Sequence, residues 1–361
     1  MESFKVVVRC LTYNHSKYIE EAMNGFCMQK TDFPFLCIIV DDASNDGAQD
    51  VIKNYLEHNF FFDEQKGMKA EETDDLISVV ARHKSNANCF FAIFFLKYNH
   101  HQAGRDKMGY FEKYTRSACY VAMCEGDDYW FDSMKLKKQV SFLDDHPGYT
   151  MVCNRIRTYS EKKQKFTHEQ YCYKKSQDIN FKDIIYRTGL FIPTCSIVYR
   201  SDVTENYPDY CKKCCVGDYP LQIMCGIKGK TYYMDDLMSI YRIDNSTSWM
   251  GKQKLGSVSE ARLKVLRSMV NMFQGFARDY PQYKLVFENK IANYINRGIP
   301  KRTTHSKEEQ KKYFSFFEEE ISRYNIFWKI DLIIRSSYLF IDGRPYEKLF
   351  FGNHCVKHIR L

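Results

Sequence analysis

The chain has no long apolar run. Its most hydrophobic stretch, Cys89–Leu96, falls far short of the ~20 residues a membrane-spanning helix needs. It has no arginine-rich tail or basic repeat either. The formal net charge of +8 is therefore a diffuse bias toward anionic partners, and nucleic acid is not an expected partner. No internal repeat is found, which sets aside solenoids and propellers. The opening MESFKVVVRC runs directly into a strand-like stretch, so no secretory leader is expected and the scattered cysteines are expected as free thiols in a reducing cytoplasm. Cys211 and Cys214 make one CxxC spacing, with Cys215 adjacent. No second pair follows at matching distance, so a zinc site is not expected there. The first turn, LTYNHSKY, contains no glycine and so cannot form a Gly-rich phosphate cradle.

What is present points to a globular α/β protein. Hydrophobic residues make up 44% of the 361 and aromatics 16%, enough for a sizeable core and about two domains. Phe4–Leu11 is a continuous β-rich run. Tyr18, Ile19, Ala22, Met23 and Phe26 then recur at helical spacing, with Ser16 as an N-cap candidate. Phe35–Asp42 reads as a second strand, and Val51, Ile52, Tyr55 and Leu56 mark a second helix. This β-α-β-α alternation predicts a parallel sheet. Polar residues 62–75 read as a mobile insertion. Further strands are expected in Cys89–Leu96, Ala118–Cys124, Met151–Tyr159 and Pro193–Arg200. A helix is expected from Asp132 or Ser133 to near Pro147. From about Lys252 the composition turns helical and charged.

Three acidic clusters follow predicted strand ends: Asp41, Asp42 and Asp46; Glu125, Asp127 and Asp128; and Asp218. Ligands of open parallel sheets sit beyond the carboxyl ends of the strands. Crowded carboxylates there call for a hard divalent cation, Mn²⁺ or Mg²⁺, and for a ligand bringing further oxygens, such as a diphosphate. Some of these residues also have simpler readings. Asp42 and Asp46 read as caps and counter-charges for the following helix. Trp130 reads as packing, His100 and His101 as loop residues, Tyr13 as a half-buried aromatic and Glu125 as an acceptor of local hydrogen bonds.

The segments CLTYNHSKYIEEAM, IIVDDASNDG and CEGDDYWFDSMKLKKQVSFLDDHP, in this order, resemble the family 2 glycosyltransferases, inverting enzymes of GT-A fold. The resemblance runs from about residue 4 to residue 250. It implies a Rossmann-like, mostly parallel central sheet flanked by helices. The catalytic nucleotide-sugar domain would span 1–250, with a helical C-terminal region over 251–361. By the same resemblance Leu11, Tyr13 and Asp41 contact the nucleotide, Asp127 the ribose, and Asp128 the metal on the donor diphosphate. Asp218 is the base, and Thr194 and Cys195 line the acceptor pocket. Asp244 stands where the family often has a metal-approaching histidine. Arg105 and Lys107 are candidates for pairing with phosphate oxygens.

The implied donor is a nucleotide-diphosphate sugar, UDP-linked more than any other. The implied acceptor is a polysaccharide or lipid-linked glycan. The rival readings are a sugar nucleotidyltransferase, against which the glycine-free first turn counts, and a non-catalytic nucleotide-sugar-binding scaffold. In the C-terminal region Ile326, Phe327, Ile330, Leu332, Ile333 and Leu339 stand among Lys and Arg. Such a pattern either packs on the catalytic domain or lies on an anionic membrane, which would place a cytoplasmic enzyme at the inner membrane face.

Overall fold

A computed structural model describes residues 4–61, 69–187, 191–244, 259–298 and 306–323, with 329, 340, 341, 344 and 345. The chain divides into two compact units, Met1–Lys212 with Val216–Lys252 and Lys213–Cys215 with Gln253–Leu361.

The first unit is built on a twelve-stranded mixed sheet. Its centre is four parallel strands: β1 (Val6–Thr12), β2 (Phe35–Asp41), β5 (Cys89–Leu96) and β6 (Tyr120–Met123). The helices between them are α1 (Ile19–Cys27), α2 (Ala48–Asn59) and α3 (Gly109–Thr115). Successive β-strand side chains alternate between faces, and β1 feeds two cores. Val6, Val8 and Cys10 pack with Phe26, Ile39 and Phe91 on one side, and Val7 packs with Leu36, Ile38 and Phe111 on the other. This explains why β1 and β2 read as unbroken apolar runs: both faces are covered.

Beyond that centre most strand pairs are antiparallel, although the longest, Lys230–Ile243 with Tyr149–Ser160, is parallel. On one side lie β4 (Leu76–Arg82) and β3 (Lys69–Glu72). The polar stretch expected as a mobile insertion thus contains an edge strand. Its KAEE sequence looks loop-like because charged residues are what an exposed sheet edge carries. On the other side come β11 (Val198–Arg200), β8 (Tyr149–Ser160) and β12 (Lys230–Ile243), joined by β7 (Tyr129–Trp130), β9 (Lys165–Gln170) and β10 (Gln177–Asp178). The expected strand over Pro193–Arg200 is only half strand, since Thr194–Ser196 form a 3₁₀ turn. Helices α4 (Lys135–Asp145), α5 (Phe181–Arg187), α6 (Asp209–Lys212) and α7 (Asp218–Lys228) complete this unit.

Helix α1 begins at Ile19, later than predicted. Ser16 does not cap it; its N–H donates instead to Asp46 Oδ2 at 2.9 Å. Gly25 in α1 is needed for contact: a Cβ there would lie 2.6 Å from the Trp130 carbonyl oxygen of β7.

The second unit is helical: α8 (Glu260–Asp279), α9 (Lys284–Gly298), α10 (Lys307–Phe316) and α11 (Glu318–Ser322). Ser259 caps α8 by accepting from the Arg262 N–H, and Ser306 with Glu309 forms a reciprocal capping box on α10. Among the described residues no helix is long and apolar enough to cross a membrane. The basic amphipathic stretch proposed for membrane contact, and the loop after Asp244, lie outside the described residues, apart from isolated positions in the former.

Candidate active site

The carboxyl ends of β1, β2 and β6 meet at one edge of the sheet, and their loops are laced together. The Asp42 N–H donates to the Thr12 carbonyl at 3.0 Å. Asn14, in the left-handed region at φ 58°, donates its N–H to Ser44 Oγ at 2.8 Å, and its side-chain oxygen accepts from the Asn45 N–H at 2.9 Å. Ala43 is also left-handed at φ 58°, a conformation an alanine adopts only when its surroundings impose it. That turn brings Ser44 back onto Asp41. The fully buried Asp41 carboxylate accepts from the Ser44 N–H at 3.0 Å, Ser44 Oγ at 2.5 Å and Gln49 Nε2 at 2.6 Å. Asp41 thus shapes the loop.

The sequence Glu125–Gly126–Asp127–Asp128 is held against β1 by two bonds. The Leu11 N–H donates to Glu125 Oε2 at 3.1 Å, and the Gly126 N–H donates to the Leu11 carbonyl at 2.9 Å. Only glycine fits at 126, because a Cβ would lie 2.7 Å from Thr12 Oγ1 and 2.8 Å from Thr12 Cβ. Burial pushes the Glu125 carboxyl up to about 7, against the opposing charge of Arg9. Asp128, 2% exposed, is raised well above the carboxylate range by burial and then by the charge of Asp127. The crowding seen in the sequence is real: this corner is short of positive charge.

Part of that charge comes from a residue the sequence reading missed. Arg242, near the end of β12, donates its backbone N–H to Asp128 Oδ1 at 2.8 Å and its Nη1 to the Asp127 carbonyl at 2.6 Å. Its guanidinium also contacts Glu21, has Nε 3.0 Å from Glu161 Oε1, and lies against the rings of Tyr18 and Tyr129. His15 was missed as well. Its Nε2 lies 3.8 Å from Asp127 Oδ2 and its Nδ1 3.2 Å from Thr12 Oγ1. Burial lowers the His15 pKa, against the charges of Asp127, Asp46 and Asp41.

Asp218 opens α7. Its Oδ2 accepts from Thr194 Oγ1 at 3.2 Å, and burial raises its carboxyl above the ordinary value. Burial pushes the Tyr241 hydroxyl up, and the negative charge of Asp128 adds to that.

Four predicted residues stand differently from expectation. Cys195 does not line an open pocket; it is fully buried, and its carbonyl accepts from Trp130 Nε1 at 2.8 Å and Ser239 Oγ at 3.1 Å. Lys107 donates to Asp42 Oδ2 at 2.6 Å in a largely buried pair, and Arg105 stands 3.3 Å from Asp75 in an exposed one. Asp244, at φ 61°, is turned onto Ser160, whose Oγ donates to it at 2.6 Å. Leu11 and Tyr13 are half-buried at the end of β1 and just beyond it.

Among the described residues no three His, Cys, Asp or Glu side chains form a ready cation cage. Asp128 beside Asp127 nevertheless fits a hard cation of the kind bound through one or two carboxylates plus substrate phosphates. The donor set supports the fit: two adjacent carboxylates, one of them only 2% exposed, on a single turn beyond β6.

Residues 10–70 match the profile described as Glycosyl transferase family 2. Uncharacterized proteins of Mycobacterium tuberculosis and Mycobacterium bovis are 29% identical over 235 residues, 64% of this chain and 57% of theirs. The chain thus spans little more than half the length of the curated relatives it matches. S. aureus TarS superposes at TM-score 0.56 with 15% identity, over 90% of this chain and 50% of that one. The mannosyltransferase PcManGT from Pyrobaculum calidifontis, solved with GDP-Man and Mn²⁺, matches at TM-score 0.49 with 12% identity, over 100% of this chain and 88% of that one. With its largely parallel core and acidic strand ends, the chain has a GT-A-like fold, and its residues 10–70 resemble the Glycosyl transferase family 2 profile.

Proposed function

We propose that this chain is an inverting glycosyltransferase. It moves a sugar from a nucleotide-diphosphate sugar, UDP-linked, to a hydroxyl of a polysaccharide or lipid-linked glycan. The catalytic domain runs to about residue 250. The observation that supports the reading is the lacing of the loops after β1, β2 and β6, with the Asp42 N–H on the Thr12 carbonyl at 3.0 Å, the Gly126 N–H on the Leu11 carbonyl at 2.9 Å and His15 Nε2 3.8 Å from Asp127 Oδ2, which gathers acidic residues at one edge of the sheet.

In this reading the nucleotide lies over the end of β1, at Leu11 and Tyr13, with Asp41 shaping the loop beside it and Asp127 near the ribose. Asp128 would hold a divalent cation, which when bound would supply positive charge against the departing diphosphate. Asp218 takes the proton from the acceptor hydroxyl as its oxygen forms the new bond to the anomeric carbon. The bond from that carbon to the diphosphate oxygen breaks, and its electron pair leaves with the nucleotide. Attack and departure on opposite faces invert the configuration. Burial suits Asp218 to the role, since a raised carboxyl is a stronger base once ionised. Thr194 donates to the same carboxylate and orients it.

A thermal-shift series with UDP, GDP and their sugars, each with and without Mn²⁺, tests the donor assignment. UDP with Mn²⁺ raises the melting temperature most, because a ligand bound only by the native state stabilises it. No shift with any nucleotide defeats the reading.

A further inference from the structure

Beside the carboxylates lies a cleft of about 610 Å³ that none of the roles above uses. Tyr18 and Tyr129 flank one wall, with the Arg242 guanidinium against both rings at 4.9 and 4.8 Å. The β8–β9 hairpin contributes Tyr159, Lys162 and Gln164 to the lining. The volume suits a small organic ligand.

The charges in the lining decide the kind of ligand. Lys17, Lys162 and Arg242 face Glu21, Glu161 and Asp244, so three cations are balanced by three carboxylates. Arg242 is already engaged by Glu21 and Glu161, and Asp244 by Ser160. A diphosphate finds no surplus positive charge here. What the cleft does offer is tyrosine rings beside an amide, carboxylates and ammonium groups, which accept and donate hydrogen bonds at close spacing. Arg242 lies against Tyr18 and Tyr129, so the Tyr159 ring, edged with such groups, is the face that matches a pyranose, whose C–H face packs on an aromatic ring while its hydroxyls bond around the rim.

We propose that this cleft binds a neutral sugar unit of a glycan chain. On the glycosyltransferase reading, that unit belongs to the acceptor and lies away from the reacting hydroxyl. Arg242 links the two places, since the side chain that walls the cleft also bonds the Asp127 carbonyl.

Saturation-transfer NMR on the full chain tests this with two probes, maltotriose and triacetylchitotriose. At least one receives saturable transfer to its ring C–H protons. In the Tyr159→Ala/Gln164→Ala variant, apparent affinity falls at least tenfold while the UDP-dependent thermal shift stays as in the unaltered chain. The idea is overturned if neither sugar binds, if the variant binds equally well, or if UDP alone displaces the sugar. If sugar binding holds but no nucleotide sugar is ever turned over, the cleft stands and the glycosyltransferase reading fails.

Discussion

The backbone N–H of Arg242 donates to Asp128 Oδ1 at 2.8 Å, so the carboxylate at the end of β6 is aimed by the last turn of β12. The Arg242 side chain, 4% exposed, fixes that strand end by bonding the Asp127 carbonyl and contacting Glu21 and Glu161. Arg242→Ala leaves these groups without their cation. Breaking a well-buried pair costs about 3–5 kcal/mol. Glu21 is half exposed, so a loss of about 2–4 kcal/mol is expected by urea denaturation. Arg242→Lys keeps the charge but not the planar fork and recovers less than half of that loss.

Gly126→Ala drives a methyl group into Thr12. Overpacking of this kind costs about 1–3 kcal/mol. Because the same turn carries Asp127 and Asp128, nucleotide-sugar turnover falls further than the stability loss alone accounts for. Measuring both in one variant separates displacement of the carboxylates from simple unfolding.

The Lys107–Asp42 pair makes a prediction of the opposite kind. Asp42 is buried and also accepts from the N–H groups of His100 and His101 at 2.7 and 3.2 Å. Lys107→Ala removes a charge-assisted bond worth about 1.5–3 kcal/mol and lowers the melting temperature. The KM for the sugar donor is unchanged, because the lysine is occupied by the protein. A several-fold rise in KM would return Lys107 to the phosphate role that its sequence context implied.

Asp46 couples the first two loops to pH. Burial alone would raise its carboxyl, but the N–H groups of Ser16 and Ala48 outweigh that and hold it below its ordinary value. With the folded pKa depressed, its stabilisation is full above the unfolded value of about 3.9 and is lost as pH falls through the folded one. Asp46→Asn therefore lowers stability at neutral pH by less than about 1 kcal/mol, because the carboxylate is largely exposed. The difference from the unaltered chain closes below about pH 3.9. Denaturant titrations at several pH values measure it.

The sequence shows the parts of this fold whose periodicity is strong. Strands β1, β2 and β5 are buried on both faces and read as apolar runs, and α1 and α2 carry clear helical stripes. Strand β12 was not legible. Its Asp235–Asp236 pair looks like a turn, and its register with β8 shifts at Met234/Leu237 and Leu237/Ser239. The acidic clusters stood out because their members are neighbours in the chain. Arg242 did not, because its meaning depends on Glu21, 221 residues away, and on a turn 114 residues away. Cys195 was misread for a related reason. Sequence order puts it beside Thr194, but the 3₁₀ turn sends one side chain to Asp218 and the other into the core.

The most direct test of the account is Mn²⁺-dependent release of UDP from UDP-sugars by the unaltered chain, by Asp128→Ala and by Asp218→Asn. The account predicts that the unaltered chain turns over and that Asp218→Asn loses roughly 10²–10⁴-fold in kcat while still binding UDP. It also predicts that Asp128→Ala loses the Mn²⁺ dependence of UDP binding itself. Asp218 is raised by burial, so the acid limb of kcat/KM in the unaltered chain should have its inflection above the ordinary aspartate value of about 3.9. Undiminished turnover in both variants would contradict the account.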